Sequence, residues 1–275
     1  MAGGIQNAYL TAPSSKKYWT ICGPEFGPEL QGSKATIIRA LYGTKCAGRD
    51  FRNHLRSCME LIGYQPFLAD PDLWIRDAVK SNGTKYYEYV LLYVDYCLVI
   101  GENAKQQIGE IDKYFTIKPS SMGPPTIYLS AKIGNCVLPN GVKSYYFSMA
   151  QYIKEAVKNV ETYLHKRNMG LLKNTTFPIT SNYSPEIDSS PELSDEDSTY
   201  YQSLIGILRW IVEMGRMDII TDVSMLSSYV AMPREGHFNQ VLHIFAYLKS
   251  HHNARLMLDP SNPDVTEEDF DKNGD

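Results

Sequence analysis

The most regular hydrophobic pattern in the chain is a β-type run at 86–100, in which two apolar stretches flank one acid, Asp95. Both stretches are rich in aromatic and β-branched residues, so they predict a hairpin with Asp95 at its tip. A carboxylate in such a run needs a partner, because an unpaired buried charge is costly. Two explanations are open from this stretch alone. Asp95 binds a metal ion, or it caps a tight turn by accepting a hydrogen bond from a nearby N–H.

The other hydrophobic patterns predict mainly strands in the first half of the chain and helices in the second. Apolar residues at helical spacing predict helices at 51–62, 103–115, 149–164, 199–214, 217–231 and 235–249. Short apolar runs predict strands at 5–10, 18–22, 35–39, 123–133, 145–147 and 254–259, with the first two expected to pair. Turn residues at 81–84 and 139–141 predict hairpins. This order indicates an α+β fold.

Composition is that of a globular protein with one or two domains: 275 residues, 43% of them hydrophobic. The five cysteines are odd in number and lack paired spacing, which indicates reduced thiols inside a cell. Neither a membrane span nor a secretory signal is visible in the sequence. We therefore expect an intracellular protein with no membrane partner, and the sequence does not distinguish cytoplasm from nucleus.

Charge is distributed unevenly along the chain. The net charge of −4 argues against binding nucleic acid through the whole surface. Six acids and no base lie within 186–197, whereas the first 60 residues carry more Lys and Arg than Asp and Glu. The segment 166–198, rich in Ser, Pro, Asn and acids, predicts a mobile linker. A local nucleic-acid face is compatible with this distribution.

Several short motifs follow one another in a fixed order. Residues 7–10 read Asn-Ala-Tyr-Leu, 40–47 read Ala-Leu-Tyr-Gly-Thr-Lys-Cys-Ala, and 91–95 read Leu-Leu-Tyr-Val-Asp. They resemble Asp-x-x-Asn-Ala-Tyr/Phe-Leu, Ala-Leu-Tyr-Gly-Leu-Lys-Gln-Ala-Pro and Leu-Leu-Tyr-Val-Asp-Asp of the reverse transcriptases of copia-type retrotransposons. Weaker matches follow at 69–75, 128–133, 148–153, 201–206 and 216–219, so the resemblance covers nearly the whole chain.

The resemblance implies a right-hand polymerase fold, in which a palm made of an antiparallel sheet with flanking helices is followed by a helical thumb. Tyr9, Asp95 and Tyr128 are then expected on neighbouring strands of that sheet. The implied domains are a partial fingers and palm region at 1–148, a helical thumb or connection at 149–250 that contains the linker, and a truncated start of an RNase H-like segment with an acidic tail at 251–275. We also expect the preceding fingers segment to be absent, and other parts of a retrotransposon polyprotein to be partners.

The same resemblance implies the ligands and the residues that contact them. The expected partners are an RNA or DNA primer–template and a deoxynucleoside triphosphate, and the expected cofactor is Mg²⁺, held by Asp95. The residues implied at the nucleotide are Tyr9, Gly43 and Lys45. The residues implied at the primer grip are Tyr128, Leu129 and Ser130, the last in place of the glycine of the family.

Two positions depart from the family where its chemistry is most demanding. Gly4 stands where the family has its first metal-binding aspartate, and Tyr96 stands where the hairpin has its second. Nucleotide transfer with two Mg²⁺ ions needs at least two carboxylates, and a phenol is neutral at pH 7. We therefore expect a reverse transcriptase by descent that is catalytically inactive. The alternatives are a non-catalytic nucleic-acid-binding or scaffold protein derived from a retrotransposon, and the product of a decayed element.

Overall fold

The chain folds into two compact units that each contain antiparallel strands and helices. The computed structural model describes residues 1–173 and 175–261. The first unit is Met1–Pro125, and the second begins at Thr126. The predicted α+β class is confirmed. The division at 125 precedes the predicted palm–thumb boundary at 148 because the strands after 125 pack with the helix that follows them. That boundary is a functional one and stays a prediction.

The first unit contains a five-stranded antiparallel sheet, a separate two-stranded ribbon and three helices. The strands are β1 (Ala2–Gly4), β2 (Pro13–Ile21), β3 (Lys34–Arg39), β4 (Gln65–Pro66), β5 (Leu73–Val79), β6 (Lys85–Tyr93) and β7 (Tyr96–Ile100). The helices are α1 (Ala8–Thr11), α2 (Ala47–Leu61) and α3 (Ala104–Asp112). The sheet has the order β1-β7-β6-β5-β4, and β2 and β3 form a separate two-stranded ribbon.

The core of the first unit lies between this sheet and α2 and α3. Apolar residues at helical spacing put Phe51, Leu55 and Met59 of α2 on one buried face, as predicted. Ile108 and Ile111 of α3 are buried in the same way. The predicted helices at 51–62 and 103–115 are thus confirmed in position.

The predicted strand at 5–10 is wrong, and so is its pairing with 18–22. The backbone of Asn7 is left-handed, with φ 50° and ψ 41°, and the one-turn helix α1 follows it. Asn tolerates this conformation, and it turns the chain out of the strand direction. Strand β1 lies just before this turn, and the ribbon strand β2 pairs with β3 instead. Tyr9 therefore lies on α1 rather than on a strand.

In the second unit, a four-stranded antiparallel sheet of order β11-β10-β9-β8 accompanies four helices. The strands are β8 (Ile127–Tyr128), β9 (Ala131–Val137), β10 (Lys143–Ser148) and β11 (Leu256–Leu258). The helices are α4 (Ala150–His165), α5 (Asp195–Glu213), α6 (Ile220–Ser227) and α7 (Glu235–Ser250). Buried apolar residues of α4, α5, α6 and α7 form one hydrophobic cluster. The helices predicted at 149–164 and 235–249 are confirmed.

Helix α5 begins four residues earlier than the apolar pattern predicted. Ser194 is its N-cap and accepts a hydrogen bond from the N–H of Asp197. Asp195, Glu196 and Asp197 form the first turn, where the positive end of the helix dipole stabilises acids. Half of the acids at 186–197 thus belong to a helix rather than to a linker. The helix predicted at 217–231 is shorter, because a 3₁₀ turn at Met217–Ile219 precedes α6.

Within the described residues, the predicted linker has little regular structure, and hydrogen bonds connect it to α7 and its N-cap. The N–H of Thr180 donates to Oε1 of Gln240 over 3.0 Å, and Arg234 donates to the carbonyl oxygen of Ser190. His237 of α7 is buried, and its Nε2 lies 3.1 Å from the carbonyl oxygen of Pro185. The mobility of the segment stays a prediction.

The strand predicted at 254–259 is present as β11. It pairs with β10 and so forms an edge of the sheet of the second unit. Whether it opens an RNase H-like segment stays a prediction, and the acidic tail lies outside the described residues. Among the helices that the structure describes, none has the length and apolar character that a membrane span requires.

A network of charged side chains lies at the edge of the first core. Arg76 donates two hydrogen bonds to Oε2 of Glu88, at 2.7 and 3.0 Å, and one to Glu110 at 2.8 Å. Burial alone would raise the pKa of Glu88, but the hydrogen bonds from Arg76, Gln107 and Tyr86 together with the charge of Arg76 hold this pKa below its usual value. A depressed carboxyl pKa adds stability that is present at neutral pH and is lost as pH falls through the folded-state pKa.

We predict that Glu88→Ala lowers the free energy of unfolding by about 3 kcal/mol at pH 7, because it leaves Arg76 without its main partner. The difference from wild type should shrink as pH falls through the folded-state pKa of Glu88, which lies below its usual value. Urea denaturation at several pH values measures both. The matched control is Glu60→Ala, which removes an exposed pair with Arg56 and should cost about 0.5 kcal/mol or less. Equal effects of the two variants would contradict the prediction.

Candidate active site

Asp95 lies at the tip of the β6–β7 hairpin, as the sequence predicted. Tyr93 pairs with Tyr96, so Val94 and Asp95 form a two-residue turn, and Val94 has the positive φ of 52° that such turns need. Val90 and Leu92 of β6 and Cys97, Leu98 and Val99 of β7 are buried below the turn, whereas the side chain of Asp95 is 44% exposed. The hairpin therefore presents this carboxylate at the surface.

Strand β1 brings the two departing positions next to Asp95. Gly4 lies opposite Tyr96 in the β1–β7 pair, and the N–H of Ile5 donates to the carbonyl oxygen of Asp95 over 2.6 Å. Asp95 thus lies beside the segment 4–10, as predicted. The three positions that carry aspartates in the implied family, here Gly4, Asp95 and Tyr96, are backbone neighbours in this sheet.

A lysine that the sequence analysis missed completes this cluster. Nζ of Lys118 lies 3.7 Å from Oδ2 of Asp95, and its backbone N–H donates to the carbonyl oxygen of Gly4 over 2.8 Å. The N–H of Gly4 in turn donates to Oγ of Ser121 over 2.8 Å. A Cβ built on Gly4 would lie 3.9 Å from Nζ of Lys118. The ammonium thus lies close both to the carboxylate that remains and to the position of the one that is missing.

The described residues here do not fit a resident Mg²⁺ ion. Gly4 offers no side chain, and burial raises the pKa of Tyr96 above the usual value near 10, so its phenol stays neutral at pH 7. The remaining carboxylate, Asp95, faces the ammonium of Lys118. Mg²⁺ requires several hard oxygen ligands in octahedral geometry. Within 1–173 and 175–261, no group of three His, Cys, Asp or Glu residues could hold a metal ion.

The residues implied at the nucleotide form a small aromatic region. Tyr9 stacks on Tyr42, with ring centroids 4.5 Å apart and planes at 17°. Gly43, the next residue, has φ 89°, a conformation that favours glycine, and Lys45 two residues later is exposed. A cavity of about 190 Å³ joins this region to the hairpin turn; its lining includes Tyr9, Phe51, Leu92 and Val94. Their roles at a nucleotide stay predictions.

The residues implied at the primer grip lie in the second unit, and the expectation of one strand at 123–133 is wrong. Leu129 and Ser130 form a two-residue turn between β8 and β9, with φ of 48° and 70°. Ser130 is therefore left-handed at the position where the family has a glycine, which would adopt this conformation without strain. Tyr128 belongs to the four-stranded sheet, so it does not share a sheet with Asp95, contrary to expectation.

Comparison with known proteins gives homologues that are Pol polyproteins of copia-type retrotransposons, which supports a retroelement-derived protein. Two relatives from Arabidopsis thaliana are the "Retrovirus-related Pol polyprotein from transposon RE1", 26% identical over 262 residues, and the one "from transposon RE2", 23% identical over 262 residues. Each match covers 94% of this chain but only 16% of the relative.

A third relative is the Saccharomyces cerevisiae protein named "Putative transposon Ty5-1 protein". It is 27% identical over 228 residues, which are 82% of this chain and 65% of the relative. No family model matches the chain, and no solved structure matches it significantly. The recognition made from the motifs is thus confirmed by relatives of low identity that span most of the chain.

Gly3 and Gly4 of β1 differ in the space that a side chain would have. A Cβ on Gly4 would meet Oγ of Ser121 at 3.5 Å, an ordinary contact, whereas a Cβ on Gly3 would lie 2.7 Å from Ile117 and 3.0 Å from Ile108. We expect Gly4→Ala to change the free energy of unfolding by less than about 0.5 kcal/mol. Gly3→Ala should lower it by about 1–3 kcal/mol through overpacking. Thermal denaturation of both variants measures this, and a greater loss in Gly4→Ala would contradict the described packing.

Proposed function

We propose that this chain derives from the reverse transcriptase region of a copia-type retrotransposon. With the residues that it has at the metal positions, it does not catalyse nucleotide transfer. The observation that carries the proposal is the backbone pairing of Gly4 with Tyr96 beside Asp95. This pairing brings together three positions that bear aspartates in the implied family, and only one of the three is an acid here.

The chemistry of nucleotide transfer explains why the missing acids matter. A primer 3′-hydroxyl attacks the α-phosphate in line, and two Mg²⁺ ions about 4 Å apart stabilise the attacking and leaving oxygens. The metal site of such an enzyme is built by carboxylates that bridge both ions. A lone carboxylate cannot bridge two ions and also complete their coordination. Loss of several kcal/mol of transition-state stabilisation corresponds to a rate decrease of many orders of magnitude, at about tenfold per 1.4 kcal/mol.

We further propose that the first unit contains the palm of the polymerase fold and that the helices α4 to α7 contain the thumb. The partners would be a primer–template and a deoxynucleotide, with Tyr9, Gly43 and Lys45 at the nucleotide and the β8–β9 turn at the primer. The stack of Tyr9 on Tyr42 and the cavity that links Tyr9 to Val94 support this placement. Other parts of a retrotransposon polyprotein would be further partners.

A second candidate function is nucleic-acid binding without catalysis. The ion pair of Asp95 with Lys118 favours it, because the ammonium offsets the negative charge that would otherwise repel phosphates when no metal is bound. Both groups are about half exposed, so the pair itself adds only about 0–1 kcal/mol to stability. Its effect would lie in the electrostatic potential of the hairpin tip.

We predict that Gly4→Asp with Tyr96→Asp creates Mg²⁺ binding that wild type lacks, because it adds two carboxylates next to Asp95. Gly4→Asp alone should restore more binding than Tyr96→Asp alone, since the first-strand acid bridges both ions in the implied chemistry. Isothermal titration calorimetry with Mg²⁺ and Mn²⁺ measures binding, and primer extension on an RNA template measures activity. We expect extension at least about 100-fold above wild type, equivalent to about 2.7 kcal/mol.

The matched control is Gly4→Asn with Tyr96→Asn, which adds side chains of nearly the same shape without charge. It should bind no metal and extend no primer. Extension by wild type at the rate of the double aspartate variant would contradict the proposed inactivity. Absence of metal binding by a folded double aspartate variant would contradict the assignment of the metal positions.

A further inference from the structure

The β2–β3 ribbon has one face turned to the protein and one turned to solvent. Tyr18 and Ile37, which pair across the ribbon, are half-buried, and β2 contacts α2. Ser15 fixes the ribbon to this helix: its N–H donates to Oδ2 of Asp50 over 2.9 Å, and its Oγ accepts from Arg49 over 2.6 Å. The orientation of the ribbon is therefore set by its inner face.

The solvent face of the ribbon is unusually apolar. Trp19 lies opposite Thr36 and Ile21 opposite Lys34, and Ile38 follows two residues after Thr36, so all five share one face. The exposed fractions are 58% for Trp19, 54% for Ile21 and 73% for Ile38. Adjacent exposed apolar side chains of this size commonly mark a binding surface.

The same ribbon carries positive charge without negative charge. The sequences of β2 and β3, PSSKKYWTI and KATIIR, contain Lys16, Lys17, Lys34 and Arg39 and no acid. Nζ of Lys34 lies 3.9 Å from the centroid of the Trp19 ring, a cation–π contact. An exposed aromatic ring with an ammonium on it, in a ribbon that carries further cations, offers both kinds of group that bind a nucleotide. The ring stacks with a base, and the cations pair with phosphates.

We propose that the solvent face of the β2–β3 ribbon binds single-stranded nucleic acid by stacking a base on Trp19 and pairing phosphates with Lys34 and its neighbouring cations. A single strand fits better than a duplex, because the base faces of a duplex are already stacked on one another. An acidic polypeptide would satisfy the cations but has no base to stack on the ring. The inference rests on the proposed retroelement function for the identity of the polymer class, and its site is separate from the hairpin tip.

The test uses the full chain and a fluorescein-labelled oligothymidylate of roughly 12 nucleotides, within the site sizes of such proteins. We expect Trp19→Ala to weaken binding roughly 5- to 150-fold, from the usual loss of one base–aromatic stack, and Trp19→Phe to retain most of the affinity. Lys34→Ala should lower the slope of log affinity against log salt by about 0.7. Fluorescence anisotropy measures both. One matched control is Tyr87→Ala, which removes an exposed aromatic residue of β6, and the other is Lys80→Ala, which removes an exposed lysine just after β5. Both variants should bind as wild type does.

Unchanged binding in Trp19→Ala and Lys34→Ala would overturn the inference. So would competition by polyglutamate as strong as by unlabelled oligothymidylate, which would instead identify an acidic polypeptide as the partner. A parallel titration with an RNA–DNA primer–template distinguishes the two proposals. Binding of the primer–template without binding of oligothymidylate would overturn this inference and leave the proposed function. Oligothymidylate binding that depends on Trp19, without primer–template binding, would support the inference and contradict the duplex partner of the proposed function.

Discussion

The geometry of the candidate site depends on the backbone pairing of β1 with β7. Three residue pairs and the hydrogen bond from Ile5 to Asp95 hold a three-residue strand on the edge of the sheet. This pairing uses main-chain groups, so it persists whichever side chains occupy the site. Gly3 contributes because it has no side chain, which lets β1 approach Ile117 closely. The proposed loss of metal-binding acids therefore does not imply the loss of the backbone scaffold around Asp95.

The charge at the tip follows from this scaffold. Hydrogen bonds from Gly4 to Ser121 and from Lys118 to Gly4 fix the segment after α3 against β1, and this brings the ammonium of Lys118 near Asp95. A carboxylate and an ammonium together form a nearly neutral tip. In the proposed non-catalytic function, such a tip would accept phosphate groups without the divalent cations that a cluster of acids would need.

Features with a local physical cause were predicted well from the sequence. The hairpin that carries Asp95 and the helix α2 are encoded by residues close together in the chain, through alternation, turn residues and helical spacing. Features that depend on the backbone conformation of one residue, or on contacts between distant parts of the chain, were not predicted. Asn7 and the Leu129–Ser130 turn adopt left-handed conformations that interrupt apparently continuous strands. Lys118 reaches the site only because the fold brings its segment to β1, and no local pattern marks it.

We infer that Asp95 pairs with Lys118 rather than with a divalent ion. Anomalous diffraction from crystals of the wild-type protein grown with Mn²⁺ tests this claim most directly, because Mn²⁺ takes the oxygen ligands that Mg²⁺ takes and can be located by its own signal. We expect Nζ of Lys118 within ion-pair distance of Asp95 and no Mn²⁺ peak between Asp95 and Gly4. A Mn²⁺ peak ligated by the carboxylate of Asp95, with Lys118 displaced from it, would contradict this pairing.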